Sequence, residues 1–157
     1  MSQNYSKEIA AAVTERLNEL GAHYAFDEGN GVFNLNWTLK GKLRNVRLML
    51  VVNEEDLECV VVSAVSADPE DAAIMANLTE FLTRANYGLK CGGFDMDMSD
   101  GEIRYRTYVD CRDGLPGPKA IERMLYTPLA MYDRYGVGIL AILFQGASAK
   151  DAYDKCE

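Results

Sequence analysis

The N-terminal part of the chain has the hydrophobic period of an α-helix. Apolar residues recur every three or four positions between Tyr5 and Leu20, and Gly21 follows them. They are Ile9, Ala10, Val13, Leu17 and Leu20. A glycine just after the last periodic residue is typical of a helix C-terminus. The pattern therefore predicts a first helix that ends before Gly21.

From residue 22 to Ser66 the hydrophobic period changes to two, which is typical of strands that bury one face. Turn residues divide this stretch at Gly29-Asn30-Gly31, at Lys40-Gly41-Lys42 and at Glu54-Glu55-Asp56. Four strands are predicted, near residues 22–28, 32–40, 45–53 and 57–66. A two-residue turn at Asn30-Gly31 would place Phe26 opposite Leu35.

The third and fourth predicted strands are apolar on both faces. One face would carry Val46, Leu48, Leu50, Val52 and Val61. The other would carry Met49, Val51, Val60 and Val62, with Met49 opposite Val62 and Val51 opposite Val60. Large apolar patches on a monomer usually mark an interaction surface, so these four residues are the predicted protein interface, covered by a second copy in a homodimer or by another protein. The alternative is that the C-terminal helix covers them with Leu140, Ile142 and Phe144.

A second helix and a further hairpin follow these strands. Asp68-Pro69 supplies an N-cap and a first helical residue for a helix near residues 69–86. Residues 89–98 and 102–111 would then pair about a two-residue turn at Asp100-Gly101. That register sets Asp97 opposite Arg104 and Asp95 opposite Arg106 on one face, with Phe94, Met96 and Met98 on the other.

The C-terminal third is predicted to be helical. After Pro116-Gly117-Pro118 the helical period resumes and runs to about Phe144, with Pro128 expected to kink the helix or split it. Ser148 and Asp151 form a capping box for a short terminal helix. The main elements follow the order α-β-β-β-β-α-β-β-α, an α+β fold with an antiparallel sheet and helices mostly on one face. No segment resembles a linker, so residues 1–157 are predicted to be a single domain.

Charge and hydropathy narrow the partners and the location. The chain has 16 basic and 24 acidic residues, a formal net charge of −8, which disfavours nucleic acid and anionic membranes. The N-terminus does not resemble a secretory signal. The longest apolar stretch, residues 136–144, is about half of the roughly 20 residues needed to cross a bilayer. We expect a cytoplasmic protein that binds neither nucleic acid nor membrane.

The residues that could carry chemistry form no recognisable constellation. His23 is the single histidine, and the four cysteines lie 20 or more residues apart without a C-x-x-C pair, so free thiols are expected and a zinc site is not. The segment from Asp95 to Arg106 resembles a calcium loop, but Asp100 stands where glycine is needed and Arg106 where a glutamate belongs. Gly136 and Gly138 partly match a dinucleotide fingerprint, yet they follow a helical pattern instead of a strand. The sequence therefore predicts no catalytic residue, metal or cofactor, and a protein that is not an enzyme.

Several segments resemble the YbjN family of bacterial proteins. They are Leu82-Thr-Arg-Ala-Asn86-Tyr-Gly88, Gly93-Phe94-Asp95-Met-Asp97, Asp100-Gly101-Glu102-Ile-Arg104-Tyr-Arg106, Leu129-Ala-Met-Tyr-Asp133-Arg-Tyr135 and Gln145-Gly-Ala-Ser-Ala-Lys-Asp-Ala152. This family is described as regulators of sensory transduction, with a fold similar to that of type III secretion chaperones. The resemblance implies a chaperone-like fold without catalytic residues, and the related chaperones dimerise and present apolar surface to a client. The proline-interrupted C-terminal helix departs from the secretion chaperones.

Two functional hypotheses follow. The first is a dimeric, non-enzymatic protein of the chaperone or adaptor kind that binds or regulates another protein. The second is a small-ligand-binding protein, or an enzyme of unrecognised type, with a pocket between sheet and helices. That pocket would be lined by Tyr105, Tyr126, Tyr132 and Tyr135. An enclosed pocket with a buried titratable group would favour the second hypothesis, and a broad apolar groove or symmetric face would favour the first.

Overall fold

The computed structural model describes residues 3–157 and contains one six-stranded antiparallel sheet and four helices. The strands are β1 (Ala25–Asp27), β2 (Val32–Thr38), β3 (Asn45–Val52), β4 (Asp56–Ser66), β5 (Gly93–Met96) and β6 (Glu102–Asp110). The helices are α1 (Lys7–Glu19), α2 (Ala72–Asn86), α3 (Pro118–Gln145) and α4 (Ala149–Asp154). The strand order is β1-β2-β3-β4-β6-β5. The α+β fold and the predicted order of its elements are confirmed, with the short helix α4 at the end.

The helices pack on one face of the sheet, called here the inner face. Its buried side chains include Phe33, Leu35, Val46, Leu48, Leu50, Val52, Leu57, Cys59, Val61, Ile103 and Tyr105. Helix α3 is joined to this face by Tyr132, whose hydroxyl lies 3.0 Å from the carbonyl oxygen of Val61 and 3.1 Å from that of Ile103. The opposite, outer face carries the alternate residues of each strand. They are Asn34, Asn36, Arg47, Met49, Val51, Glu58, Val60, Val62, Arg104, Arg106 and Tyr108.

Strand pairing in three hairpins differs by two residues from the predicted registers, which were wrong. Phe26 pairs with Phe33, Met49 with Val60, Val51 with Glu58, and Asp95 with Arg104. A shift of two residues preserves the alternation of side chains between faces. The predicted assignment of residues to faces therefore holds although the partners change.

Two of these shifts come from the conformation of the loops. Gly31 and Gly101 have φ values of +71° and +77°, whereas Asn30 and Asp100 lack the positive φ that both central residues of a type I′ turn require. Each loop instead spans four residues after an aspartate whose carboxylate accepts a hydrogen bond from a loop N–H group. The Asp97 carboxylate accepts from Ser99 N–H at 2.8 Å, so it does not pair with Arg104 as predicted, and Met98 lies in the exposed loop.

The helix termini confirm some predicted boundaries and correct others. The N-cap of α2 is Asp71, which accepts a hydrogen bond from Ile74 N–H at 3.1 Å, and not Asp68. Helix α3 continues through Pro128 as one 28-residue element, so of the two outcomes expected at this proline, a kink or a split, the split is wrong. Ser148 caps α4 through Asp151 N–H, as predicted. Between residues 3 and 157 no helix has both the length and the hydrophobicity needed to span a bilayer.

Candidate protein-interaction surface

The four residues predicted to form the interface lie together at the centre of the outer face. Strands β3 and β4 are the middle pair of the six-stranded sheet, and Met49 lies directly opposite Val60. Val62 lies opposite Arg47, and Val51 lies opposite Glu58. The central apolar patch, as these four residues are called below, is therefore contiguous and flanked by charged side chains.

No helix covers the central apolar patch in the described part of the chain. The patch residues do not belong to the buried core cluster or to the side chains packed against it. The alternative in which α3 lies over them is wrong, because Ile142 of α3 belongs to the inner-face core and Phe144 is 70% exposed. The outer face is thus available to a partner.

Neighbouring side chains shield part of the patch. Val60 and Val62 are each 9% exposed although none of the described helices lies above them. In the pairing register Val60 lies between Met49 and Arg106, and Val62 lies between Arg47 and Arg104. Long side chains cover apolar neighbours with their aliphatic stems. Met49 and Val51 remain half-buried, so the exposed apolar surface is smaller than the sequence pattern alone suggests.

Ion pairs hold two of the flanking arginines. Arg106 contacts Asp95 at 2.6 Å and Glu58 at 3.2 Å, and Arg104 contacts Asp95 at 3.3 Å. Exposed pairs of this kind contribute about 1 kcal/mol or less to stability. Their main consequence is electrostatic, because the charges of both arginines are largely balanced on that half of the face.

Two open depressions adjoin the outer face. One, of about 510 Å³, lies beside Val62, where β2 ends and β3 begins, and includes Asn36, Asn45 and Arg47. The other, of about 470 Å³, lies beside β5 and includes Lys90 and Arg106. In the second depression the guanidinium of Arg106 already forms ion pairs with acidic side chains. The positive charge in the first depression is therefore less fully balanced.

The predicted tyrosine-lined pocket does not form. Tyr105, Tyr132 and Tyr135 are at most 2% exposed, and their rings lie 4.8, 5.3 and 5.9 Å from the ring of Phe94. Burial raises the pKa of Tyr132, and it raises the pKa of Tyr105 to about 12. Tyr126 lies apart from them against Trp37. Tyr105, Tyr132 and Tyr135 therefore fill the space between sheet and helices as part of the core.

The potential nucleophiles are placed unfavourably for catalysis. Burial raises the pKa of the Cys59 thiol to about 12 and also raises the pKa values of Cys111 and Cys156, so all three are protonated at neutral pH. His23 is exposed. Among residues 3–157 no three histidine, cysteine or acidic side chains gather closely enough to hold a metal ion.

The sequence-based interpretation missed the arginines that flank the central apolar patch. Arg47, Arg104 and Arg106 occupy outward positions of β3 and β6, and the alternation of the strands already assigns them to that face. Their cross-strand neighbours depend on the register, which the loops determine. The charged rim of the patch therefore became visible only with the strand pairing.

Comparisons with known proteins identify a family. The model of the YbjN family, described as "Putative bacterial sensory transduction regulator", matches residues 9–139. Among solved structures, a chain of the HopA1–SchA chaperone–effector complex is similar with 16% sequence identity and a TM-score of 0.45. The similarity covers 79% of this chain and 88% of that chain. No curated protein matches the sequence.

Proposed function

The chain belongs to the YbjN family, and from this premise we propose that it is a non-enzymatic regulatory protein that acts in the cytoplasm by binding protein through the outer face of its sheet. The observation that carries the proposal is the central apolar patch, on a face that no helix within residues 3–157 covers. The first partner on this face is a second copy of the chain, which forms a homodimer, and the protein that the dimer regulates is a further partner.

The composition of the outer face supports a binding role. In an antiparallel sheet with one solvated face, the outward residues are normally polar, as Asn34 and Asn36 are on β2. Met49, Val51 and the two valines of β4 break this rule on the two central strands. Apolar side chains at the centre of a face with charged side chains around them have the arrangement of a protein interface, an apolar core within a polar rim.

The remaining residues support a protein without catalysis. The tyrosines between sheet and helices are core residues, and the buried thiols are held in the protonated form. The pKa values of Cys59, Cys111 and Cys156 are raised, whereas a nucleophilic thiol needs a lowered pKa.

Light scattering on Met49→Glu tests this proposal. We expect the unmodified protein to have the mass of a dimer at high micromolar concentration. Met49→Glu should raise the dimer dissociation constant at least tenfold, because a two-fold axis buries the new carboxylate twice in an apolar contact. Leu115→Glu is the matched control, since Leu115 is 59% exposed in the loop before α3, and it should remain dimeric.

Two results would contradict the proposal in different ways. A strictly monomeric mass for the unmodified protein would remove the homodimer. A dimer that Met49→Glu leaves intact, with an unchanged circular dichroism spectrum, would place the contact on another surface.

A further inference from the structure

Charged residues give the β1–β3 side of the outer face a basic end and an acidic end, while the acidic β5–β6 loop lies at the other side of the basic end. The basic end consists of the β2–β3 loop with Lys40, Lys42 and Arg44, together with Arg47 on β3. The acidic end consists of Asp27 and Glu28 before the β1–β2 turn and Glu54, Glu55 and Asp56 at the β3–β4 turn. Strand β3 runs from one end to the other, and the central apolar patch lies between them.

The basic end is not neutralised within the chain. Among residues 3–157, none of its four cations has an acidic partner within 4 Å, although the chain has a net charge of −8. Asp133, which contacts the loop, uses a carboxylate oxygen to accept a hydrogen bond from Gly41 N–H at 2.8 Å. Arg104 and Arg106, in contrast, are paired with Asp95 and Glu58. A concentrated charge of one sign attracts a surface of the opposite sign.

The acidic end likewise lacks cationic partners. Glu54 and Glu55 form the exposed tip of the β3–β4 hairpin, where Asn53 N–H donates to the carbonyl oxygen of Asp56 at 3.0 Å. Neither glutamate forms an ion pair with a described residue within 4 Å. The chain therefore presents a protruding acidic turn at one end of β3 and unpaired cations at the other.

We propose that two copies stack outer face on outer face about a two-fold axis that lies between the faces and runs perpendicular to the strands. This proposal rests on the proposed homodimer and adds its arrangement. Such an axis reverses the strand direction of the second copy, so the basic end of each copy meets the acidic end of the other. An axis parallel to the strands, between β3 and β4, would place the Glu54–Glu55 turn of each copy on the same turn of the other, which like-charge repulsion opposes.

The shape of the face agrees with this axis. The depression of about 510 Å³ beside Arg47 and Val62 lies at the basic end, where the Glu54–Glu55 turn of the second copy would arrive. Met49 and Val60 lie near the middle of their strands and would come close to the axis, so each apolar patch covers the other. At the β5 edge of the sheet, the same rotation brings the acidic β5–β6 loop, with Asp97 and Asp100, toward Lys90 of the second copy. Two sheets stacked in this way pack about 10 Å apart with strands crossing at roughly 30°.

Charge reversal of each end separately tests the arrangement. One variant carries Lys42→Glu and Arg47→Glu, which removes the net positive charge of the basic end, and the other carries Glu54→Lys and Glu55→Lys, which removes most of the net negative charge of the acidic end. At low salt, each variant alone should raise the dimer dissociation constant at least tenfold. The chain with all four substitutions should recover the original dissociation constant. An equimolar mixture of the two variants should form heterodimers, since the substituted residues of each variant then meet opposite charges on the other.

The control makes the same change in net charge as the Lys42→Glu and Arg47→Glu variant, but on the helix side of the molecule. Lys119→Glu with Arg123→Glu alters two exposed cations of α3 and should leave the dissociation constant unchanged. Raising the salt concentration should weaken the unmodified dimer and reduce the differences between variants, because the contacts lie at the rim of the interface.

Failure of this inference differs from failure of the proposed function. A dimer that Met49→Glu dissociates but neither charge reversal weakens would overturn the proposed axis and leave the outer-face dimer standing. The axis would also be overturned if the chain with all four substitutions is folded by circular dichroism but does not recover the original dissociation constant. A monomeric unmodified protein would overturn the homodimer and the axis together.

Discussion

At the scale of single residues, burial decides the chemical character of Cys59. Its side chain is fully buried on the inner face of β4, and this burial raises the pKa of the thiol to about 12 from its usual value of 9.0. A thiolate at this position would have lost its hydration without gaining a cationic partner. Cys59 is therefore a small apolar core residue at neutral pH.

The raised pKa of Cys59 predicts a loss of stability at alkaline pH. Between pH 9 and pH 12 the folded chain keeps a proton that the unfolded chain releases, so this contribution is complete below pH 9 and disappears toward pH 12. Cys59→Val should make the decline of the urea midpoint with pH less steep, although the raised pKa values of Tyr105 and Tyr132 maintain part of it.

The comparison needs a core substitution without a titratable group. Val61→Ala, at the neighbouring position of the inner face, should lower the urea midpoint by a similar amount at every pH and keep the original slope. An unchanged slope in Cys59→Val would mean that the thiol does not contribute to the alkaline transition.

At the scale of elements, the hairpin loops determine the strand registers. The loop before β6 ends in Gly101, which has a φ of +77°, and its carbonyl accepts a hydrogen bond from Ala67 N–H at 3.0 Å. A Cβ atom at Gly101 would lie 2.0 Å from the carbonyl oxygen of Ala67. This loop is thus held against the end of β4, and its last residue has to be glycine.

Alanine at three glycines separates backbone strain from steric overlap. Gly21 has a positive φ, but a Cβ atom added there would have no neighbour within 4 Å. Gly21→Ala should therefore lower the free energy of unfolding by about 1–2 kcal/mol. Gly101→Ala adds the overlap with Ala67 and should lose clearly more. Gly88 has neither a positive φ nor a neighbour within 4 Å of an added Cβ, so Gly88→Ala should change the free energy of unfolding by less than about 0.5 kcal/mol. Urea denaturation measures all three, and equal losses at Gly21 and Gly101 would show that the loop can move away from Ala67.

The exposed edge of the sheet at β5 is closed by a side chain. The Asn86 carboxamide at the end of α2 accepts a hydrogen bond from Phe94 N–H at 2.8 Å and donates one to the Phe94 carbonyl at 2.9 Å. These are the backbone groups that an added strand would use. Asn86 therefore disfavours strand addition at this edge.

At the scale of the whole molecule, one buried cluster connects all the main helices to the sheet. Tyr132 of α3 reaches backbone carbonyls of β4 and β6, and Phe94 of β5 contacts Tyr135. Helix α4 packs on the same side, where Ala149 and Ala152 are buried in this cluster. The core is therefore continuous from the first helix to the last.

This continuity supports the proposal that the chain is a single domain that needs no metal. We expect one cooperative thermal transition, with the fluorescence of Trp37 and the far-ultraviolet circular dichroism changing together. A chelator should leave the melting temperature unchanged, because zinc or calcium would contribute a large part of the folding free energy if it were structural. Two separate transitions would contradict the single domain, and a drop of several degrees with chelator would contradict the interpretation of the cysteines.

The sequence alone was sufficient for the elements and for the face on which most side chains lie. Helix and strand periods are local properties, and the alternation along a strand assigns Leu48 to one face and Met49 to the other whatever the register. The N-cap at Ser148 is equally local, and it was predicted correctly. The central apolar patch was identified in this way and remains a predicted interface.

Only the tertiary structure decided which residues became neighbours. The register of Asp95 with Arg104 depends on hydrogen bonds within the loop and on the contact of Gly101 with Ala67, which is distant in sequence. Tyr105 and Tyr132 were expected around a pocket, but the packing of α3 against the sheet turned them into core residues. The choice of the inner face by the helices likewise left Met49 uncovered. These outcomes depend on contacts between distant segments, whose energies a pattern along one segment does not contain.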